Sequence, residues 1–156
     1  MEGTEFHKFA KNANVHSQTK FAEVSLELAG IEWDIILFSE TRYAGGNIVL
    51  EGGHHMFASS EPTMVNCKHV RDIKFSQAPS SRICFVDKMM EAGVTRFVAT
   101  YTPHMGWETH DLYRYYDQLT WVLDDARRHG RTIVLGGDFN TQLGVGIRGD
   151  CLADLA

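Results

Sequence analysis

The sequence has no long hydrophobic run, few cysteines and no excess of basic residues. No segment approaches the ~18 apolar residues of a membrane span, and residues 1–8 contain no apolar stretch that would predict a secretory signal. The chain of 156 residues contains 3 cysteines, an odd number without close spacing, so neither a disulfide framework nor a C-x-x-C metal site is indicated. We therefore expect no membrane association and an intracellular location, nuclear or cytoplasmic, rather than secretion.

The charge balance bears on the class of partner. The formal net charge is −5, whereas a protein that binds nucleic acid by simple electrostatics usually carries a basic excess. An enzyme in which a divalent cation offsets its carboxylates is not excluded. With 44% hydrophobic and 22% charged residues, the composition predicts one globular domain over residues 1–156.

The clearest candidate site follows a short apolar run at residues 133–135, which predicts a buried strand. Gly136 and Gly137 come next and permit a sharp turn or the close approach of a ligand. Asp138 and Asn140 are two positions apart, so on an extended segment their side chains face the same way. The pattern predicts a carboxylate and an amide at a strand end, although Asp and Asn are equally typical of turns in which they bond the local backbone.

Two further predicted strands end in polar residues. Residues 31–38 become wholly apolar in their second half, as expected of a strand covered on both faces, and Glu40 follows shortly afterwards. A later strand ends at Tyr101, because Pro103 cannot donate to a sheet ladder, and His104 lies just beyond it. Helices that alternate with strands ending in such residues indicate an α/β fold with its site along the strand ends.

Periodicity and capping residues predict the remaining elements. They are helices over residues 19–29 and 108–129 and strands over residues 47–51, 82–86 and 95–101, with a reversal at residues 90–93. Thr109 is the expected cap of the second helix, and Gly130 is expected to end it. Residues 1–18 hold too few apolar residues to predict a strand. His54, His55 and His69 fit no common structural-zinc spacing, so we expect them to be solvated or hydrogen bonded.

A glycine pattern near the C-terminus resembles a dinucleotide-binding motif. Gly144, Gly146 and Gly149 have the G-x-G-x-x-G spacing. Such a motif should open a helix directly after a strand, and the sequence ends soon after Gly149. We interpret this segment as a flexible loop and expect no dinucleotide.

In their order along the chain, the polar motifs resemble those of the endonuclease/exonuclease/phosphatase superfamily, which has the DNase I-like fold. The matching stretches are residues 12–14, 35–41, 101–104 and 137–140. The closest likeness is to the apurinic-type endonuclease domains of non-LTR retrotransposons. The resemblance implies an α/β (α+β) sandwich of four layers, in which two sheets pack face to face between helices.

The resemblance also implies a site that hydrolyses phosphodiesters in DNA with the help of a metal. This chemistry requires that charge on the phosphoryl oxygens be neutralised and that water be delivered in line. Mg²⁺ is commonly held by one or two carboxylates together with water and phosphate. Glu40 is the implied principal ligand of Mg²⁺, or of Mn²⁺ in its place, and Asn14 is the implied assisting residue.

The same resemblance assigns roles to five other residues. Asp138 would orient and deprotonate the attacking water, and Asn140 would hold that water or the scissile phosphate. Tyr101 would donate to the phosphate or stabilise the developing charge. His104 would contact the substrate, and Asn12 would hydrogen-bond within the site.

The sequence departs from the superfamily's pattern in two ways. It ends at Ala156 without a further Asp and a terminal Ser-Asp-His-type motif, so we expect a truncated domain that contains the N-terminal half to two-thirds. It also lacks the usual Gly-rich apolar strand after Ser60. Because half of such a fold would supply one sheet, its uncovered face would favour self-association.

Two other functions remain open at this stage. The chain could be a catalytically inactive fragment that serves as an interaction module, because loss of one catalytic group can cost ~10²–10⁴-fold in rate or more. Alternatively, it could be a phosphomonoesterase or a phosphoinositide phosphatase of the same superfamily.

Overall fold

The described part of the chain contains nine strands and three α-helices. The computed structural model describes residues 8–12, 18–41, 43, 46–104, 106–142 and 146–155, with side chains from residue 23 onward. The elements are β1 (Lys8–Asn12), α1 (Gln18–Leu28), β2 (Ile35–Ser39), β3 (Ile48–Val49), β4 (His55–Phe57), β5 (Thr63–Val65), a 3₁₀ helix (Cys67–Asp72), β6 (Ile73–Ser80), β7 (Ile83–Met90), β8 (Gly93–Tyr101), α2 (Thr109–Arg128), β9 (Thr132–Asp138) and α3 (Gly146–Leu155). Within these ranges, no helix is both long enough and apolar enough to cross a bilayer.

The strands form two sheets. The first has the order β1-β2-β5-β4-β3 and the second the order β6-β7-β8-β9. β1 runs parallel to β2, and β9 runs parallel to β8, while the other neighbours are antiparallel. The carboxyl ends of β1 and β2 therefore lie at one edge of the first sheet, and those of β8 and β9 at one edge of the second.

The two sheets pack face to face, and helices cover their outer faces. The apolar layer between the sheets consists of Ile35, Leu37 and Val65 from the first sheet and Val86, Phe97 and Ala99 from the second. Val24 and Leu28 of α1 pack on the outer face of the first sheet, and α2 and α3 cover the second. The predicted four-layer α/β sandwich is confirmed, and the expectation of a single sheet with an uncovered inner face is wrong.

The strand β2 is buried along its whole length, as its apolar run predicts. Ile35 and Leu37 face the second sheet, whereas Ile36 and Phe38 face α1. β9 packs closely on this strand, because a Cβ atom at Gly136 would lie 2.8 Å from the Leu37 Cδ1 atom. The glycine thus lets the end of β9 approach the end of β2.

Two strands of the first sheet form where the sequence argued against a strand. β1 forms from a segment that is poor in apolar residues, because it pairs in parallel with β2 from Lys8 opposite Ile35 to Asn12 opposite Ser39. β5 occupies the region after Ser60 that was expected to lack a strand, and it is fully buried between β2 and β4. Both strands depend on partners that are distant in sequence, so local pattern predicts them poorly.

The C-terminal elements also differ from expectation. β9 was expected to be buried, but residues 133–138 are half-buried, since β9 is the edge strand of the described second sheet. α3 begins at Gly146, where a flexible loop was expected, and it docks on α2 through a hydrogen bond from the Tyr116 hydroxyl to the Arg148 carbonyl oxygen (3.0 Å). A helix therefore does follow β9. The expectation that no dinucleotide binds here was based on the absence of such a helix, so that argument no longer holds.

The remaining predicted elements are largely confirmed. α1, α2 and the β7–β8 hairpin lie within a few residues of their predicted bounds, and Met90 pairs with Gly93 at the reversal. Gly130 has a positive φ of 63° at the end of α2, as expected. The cap of α2 is Glu108 rather than Thr109, and the Glu108 side chain makes no capping hydrogen bond.

Two of the three histidines make hydrogen bonds in the structure. The Cys67 N–H donates to Nδ1 of His54 (3.0 Å), and the ring of His54 lies 4.8 Å from that of Trp33. Burial lowers the pKa of His54. His69 Nε2 lies 2.5 Å from an oxygen of Asp34.

A buried ion-pair network joins α2 to the second sheet. Arg96 on β8 donates from Nε and Nη2 to the two carboxylate oxygens of Asp87 (2.8 and 2.9 Å). Its Nη1 atom donates to the Val122 carbonyl oxygen (2.8 Å) and to Asp125 (2.9 Å), both on α2. Arg131 also contacts Asp87 (2.9 Å). Since Arg96 and Asp87 are each 1% exposed, the network fixes the helix against the strands that lead to the candidate site.

Candidate active site

Tyr101 and Asp138 lie side by side at the carboxyl ends of β8 and β9. They are the last paired residues of the two parallel strands. The Thr102 N–H then donates to the Asp138 carbonyl oxygen (2.9 Å), after which Pro103 ends the ladder, as predicted. Parallel pairing therefore places a phenol and a carboxylate next to each other at one edge of the sheet.

Asn140 reaches the same edge through a turn rather than through an extended strand. Its φ is 48°, and its N–H donates to Oδ1 of Asp138 (2.9 Å). The interpretation of Asp138 as a turn former that bonds local backbone is therefore confirmed, and strand alternation does not extend to Asn140. The Asn140 Nδ2 atom donates to the Thr102 carbonyl oxygen (2.9 Å), so the amide is fixed against the end of β8.

Gly137 is required by the backbone at this point. Its φ is 151°, and a Cβ atom there would lie 1.7 Å from the carbonyl oxygen of Thr100. The glycine allows β9 to stay paired with β8 as far as Asp138.

Glu40 approaches from the other sheet. It directly follows β2 and has a φ of 58°, a conformation that costs a non-glycine residue about 1–3 kcal/mol. Burial raises the pKa of Tyr101; a hydrogen bond to Asn140 opposes this increase, and a hydrogen bond to Glu40 adds to it. The side chains of Glu40 and Asn140 are thus both close to the Tyr101 hydroxyl, so residues that follow strands of the two sheets meet at the site.

A half-open cavity of about 340 Å³ lies beside Glu40 and Tyr101. Its lining residues are Glu40, Ser60, Glu61, Ser81, Arg82, Tyr101, His104 and Trp107. His104 is exposed, and its carbonyl oxygen accepts a hydrogen bond from Arg148 on α3 (2.7 Å). The structure therefore brings Glu40, Tyr101 and His104 into one cavity. Asp138 and Asn140 are not among its lining residues and lie beside the end of β8, where Asp138 pairs with Tyr101 and Asn140 bonds to Thr102.

Glu61 is a member of the site that the sequence did not indicate. Its side chain is 2% exposed, and Oε2 accepts a hydrogen bond from the Glu40 N–H (2.7 Å). Burial raises the pKa of Glu61 to about 8; the Glu40 N–H and Arg82 lower it, while the charges of Glu40 and Asp138 raise it. Glu61 is thus close enough to Glu40 and Asp138, the two acidic residues of the predicted site, for their charges to change its pKa.

Arg82 supplies a positive charge to the cavity. Its guanidinium carbon lies 5.1 Å from the ring centroid of Tyr101 and 4.2 Å from that of Trp107, and Nη1 donates to the Tyr101 carbonyl oxygen (3.4 Å). Arg82 was not predicted as a site residue, yet the sequence contains a signal for it. A tight reversal between Met90 and Gly93 sets a register in which Arg82 lies opposite Tyr101.

The two N-terminal candidates are only partly located. Asn12 ends β1 opposite Ser39, one position before Glu40, so its backbone lies at the same edge of the first sheet. Its side chain is outside the description, and Asn14 lies outside the described residues altogether.

The donor set suits a hard divalent cation. In the described ranges, no group of three His, Cys, Asp or Glu side chains converges in a way that could hold a metal ion, but Mg²⁺ is often held by one or two carboxylates with water and substrate oxygens. Glu40 supplies such a carboxylate at the cavity wall, and Asp138 and Asn140 supply further oxygens nearby. The Arg82 guanidinium lowers the pKa of Glu61 and the negative charges of Glu40 and Asp138 raise it, so charges of both signs act on this part of the site.

Comparisons with known proteins place this arrangement in a structural class. No family model matches the sequence, and no curated protein matches it. Among solved structures, the endonuclease domain of TRAS1, a telomere-specific non-LTR retrotransposon, matches with a TM-score of 0.63 and 20% identity over 97% of this chain and 71% of that one. The 3′ phosphatase NExo from Neisseria, bound to product DNA hairpin, matches with a TM-score of 0.60 and 16% identity over 95% and 68% of the two chains.

A beta toxin from Staphylococcus aureus, a beta-hairpin deletion mutant, matches with a TM-score of 0.61 and 15% identity over 98% of this chain and 73% of that one. At such identities the similarity establishes the fold. The chain has the DNase I-like fold, as the resemblance of its motifs implied.

Proposed function

We propose that this chain is a Mg²⁺-dependent phosphodiesterase that cleaves DNA as an endonuclease. The observation that carries the proposal is the convergence of Glu40, Tyr101, Asp138 and Asn140 at the edge where β2, β8 and β9 end. These residues are far apart in sequence and come from two sheets. The fold is also that of an endonuclease domain and of a DNA-bound phosphatase.

Each residue has a role that its surroundings support. The Asp138 carboxylate accepts a proton from water as the water oxygen bonds to phosphorus and the bond from phosphorus to the leaving oxygen breaks. Asn140, fixed through its Nδ2 hydrogen bond to Thr102, presents its carbonyl oxygen to that water. Tyr101 is protonated at neutral pH, as a phenol ordinarily is, and burial raises its pKa further, so its hydroxyl would donate to a phosphate oxygen.

The cation and the substrate would occupy the cavity between the sheets. Glu40 would hold Mg²⁺, or Mn²⁺ in its place, with Asn14 assisting, and the ion would neutralise charge on the phosphate. Arg82 and His104 line the same cavity and would contact DNA phosphates. A local positive charge of this kind is needed because the chain as a whole carries a formal charge of −5.

The test is nicking of supercoiled plasmid in the presence and absence of Mg²⁺. We expect metal-dependent nicking by the wild type and a fall of about 10²–10⁴-fold in Asp138→Asn, as for the loss of a general base. Asp117→Asn is the matched control, because Asp117 is exposed on α2. Nicking that is unchanged in Asp138→Asn would refute the assignment.

The nicking assay, run beside assays of phosphate release from other substrates, separates the alternatives. An inactive interaction module would give no nicking at any metal concentration. A phosphomonoesterase would release phosphate from a 3′-phosphorylated oligonucleotide without nicking plasmid, and a phosphoinositide phosphatase would prefer inositol phosphates. Self-association stays a prediction that light scattering tests, although the sheet face through which it was expected is covered by the second sheet.

A further inference from the structure

The segment that precedes β5 is tied to the end of β2 at three successive points. The Phe38 N–H donates to the Pro62 carbonyl oxygen (3.0 Å), the Glu40 N–H donates to Glu61 Oε2 (2.7 Å), and the Thr41 hydroxyl donates to the Ser60 carbonyl oxygen. Two of these bonds end on backbone carbonyl groups. The middle one ends on a buried carboxyl group, which is unusual for the continuation of a strand ladder.

The Glu40 N–H bonds to the Glu61 carboxyl group because the hydrogen-bond ladder between β2 and β5 does not extend to Glu40. The paired register of β2 and β5 ends at Leu37 opposite Thr63. Pro62 then interrupts the donors of β5, and Glu40 turns into the left-handed region with a φ of 58°. The Glu61 carboxyl group accepts the hydrogen bond that a backbone carbonyl would otherwise accept.

Glu61 is itself held in place. A residue before proline is confined to extended conformations, and Pro62 imposes this limit on Glu61. The Glu61 N–H donates to the Ser59 hydroxyl (3.0 Å), and the side chain is 2% exposed. The position of its carboxyl group is therefore set by the fold and not by solvent.

We propose that Glu61 is a positioning residue that locks the backbone of Glu40 in its left-handed conformation and thereby aims the Glu40 carboxylate into the cavity. The inference rests on the proposed function for the cation that Glu40 would bind. The contact itself is independent of that function. A carboxyl oxygen accepts a hydrogen bond whether the group is ionised or protonated, so the role does not depend on the charge of Glu61.

The test uses two variants of the full chain. Glu61→Gln keeps an acceptor oxygen at the same reach and removes the charge, whereas Glu61→Ala removes the acceptor. We expect the affinity for Mn²⁺, measured by calorimetry, to fall by roughly 10–100-fold in Glu61→Ala, as for other residues that orient a metal ligand, and to stay at the wild-type value in Glu61→Gln. Equal loss in both variants would mean that Glu61 is itself a ligand and would overturn the positioning role.

Hydrogen exchange supplies a readout that needs no metal. The Glu40 amide should be protected in the wild type and in Glu61→Gln, and it should exchange rapidly in Glu61→Ala. Val122→Ala, a buried substitution on α2, controls for general loss of stability and should leave the Glu40 amide protected. Rapid exchange of this amide in the wild type would refute the inference.

The two measurements distinguish failure of the inference from failure of the proposed function. If the Glu40 amide depends on Glu61 as expected but the wild type binds no Mn²⁺, the positioning contact stands and the metal-dependent function fails. If the wild type binds Mn²⁺ and Glu61→Ala binds it equally well, the function stands and the positioning role is overturned.

Discussion

The buried pair of Arg96 and Asp87 offers the sharpest test of how this fold is held together. We predict that Arg96→Met destabilises the protein by about 3 kcal/mol, the lower end of the range for breaking a buried pair. The substitution leaves the Asp87 carboxylate buried at 1% exposure without its bidentate partner. The loss stays at the lower end because Arg131 retains a 2.9 Å contact with Asp87.

The free energy of unfolding should be measured by urea denaturation, with tryptophan fluorescence and far-UV circular dichroism as independent probes. Arg114→Met is the control. Arg114 is 65% exposed and lies 3.7 Å from Asp111, so its loss should cost less than about 1 kcal/mol.

A double variant tests the physical reason for the loss. If the cost arises from an uncompensated buried charge, Arg96→Met combined with Asp87→Leu should be less destabilised than Arg96→Met alone, because both members of the pair become apolar. A single variant that loses less than about 1 kcal/mol, or a double variant that is as unstable as the sum of its parts, would refute this reasoning.

Three further predictions concern a glycine, a histidine and an arginine. Gly137→Ala should cost roughly 3 kcal/mol or more in urea unfolding, because its Cβ would meet the Thr100 carbonyl oxygen at 1.7 Å; an unchanged stability would show that the strands can separate freely there. Burial lowers the pKa of His54 below 6.5, so the unfolded chain takes up the proton at a higher pH than the folded chain does. The free energy of unfolding should therefore fall as the pH drops below 6.5. His54→Asn should lack this pH-dependent loss of stability, and parallel pH profiles of the two proteins would contradict the prediction. Arg82→Ala should weaken DNA binding and reduce the slope of log affinity against log salt by about 0.9, as measured by fluorescence anisotropy. Arg114→Ala, at an exposed position on α2 that does not line the cavity, should leave the slope unchanged.

Much of the fold was predictable because its strongest elements have local signals. The helical apolar stripe of α2 and the continuous apolar run of β2 each bury a face that a short window of sequence reveals. Strand ends could also be read, because Pro103 stops β8 just after Tyr101. The strands β1 and β5 could not be read in this way, since their stability comes from pairing with β2.

The residues of the candidate site likewise fall into a group that local sequence predicts and a group that it does not. Glu40, Tyr101 and Asp138 stand directly at or after predicted strands, so their types and places could be identified. Glu61 lies in a polar loop next to Pro62, and nothing nearby marks it as buried. Its role arises from a hydrogen bond to a residue 21 positions earlier, which no local pattern encodes.

The sequence alone determined the strongest helices and strands, such as α2 and β2, and which polar residues stand at the strand ends, because these depend on hydrophobic periodicity and on turn residues within a few positions. The tertiary structure alone decided that two sheets share one core, that Asn140 reaches the site through a left-handed turn, and that Arg82 and Glu61 join it. Those outcomes depend on strand register and on the close packing of β9 against β2 at Gly136 and against β8 at Gly137, where neither residue has a side chain. Contacts of that kind form only when segments that are distant in sequence pack together, so neighbouring residues do not specify them.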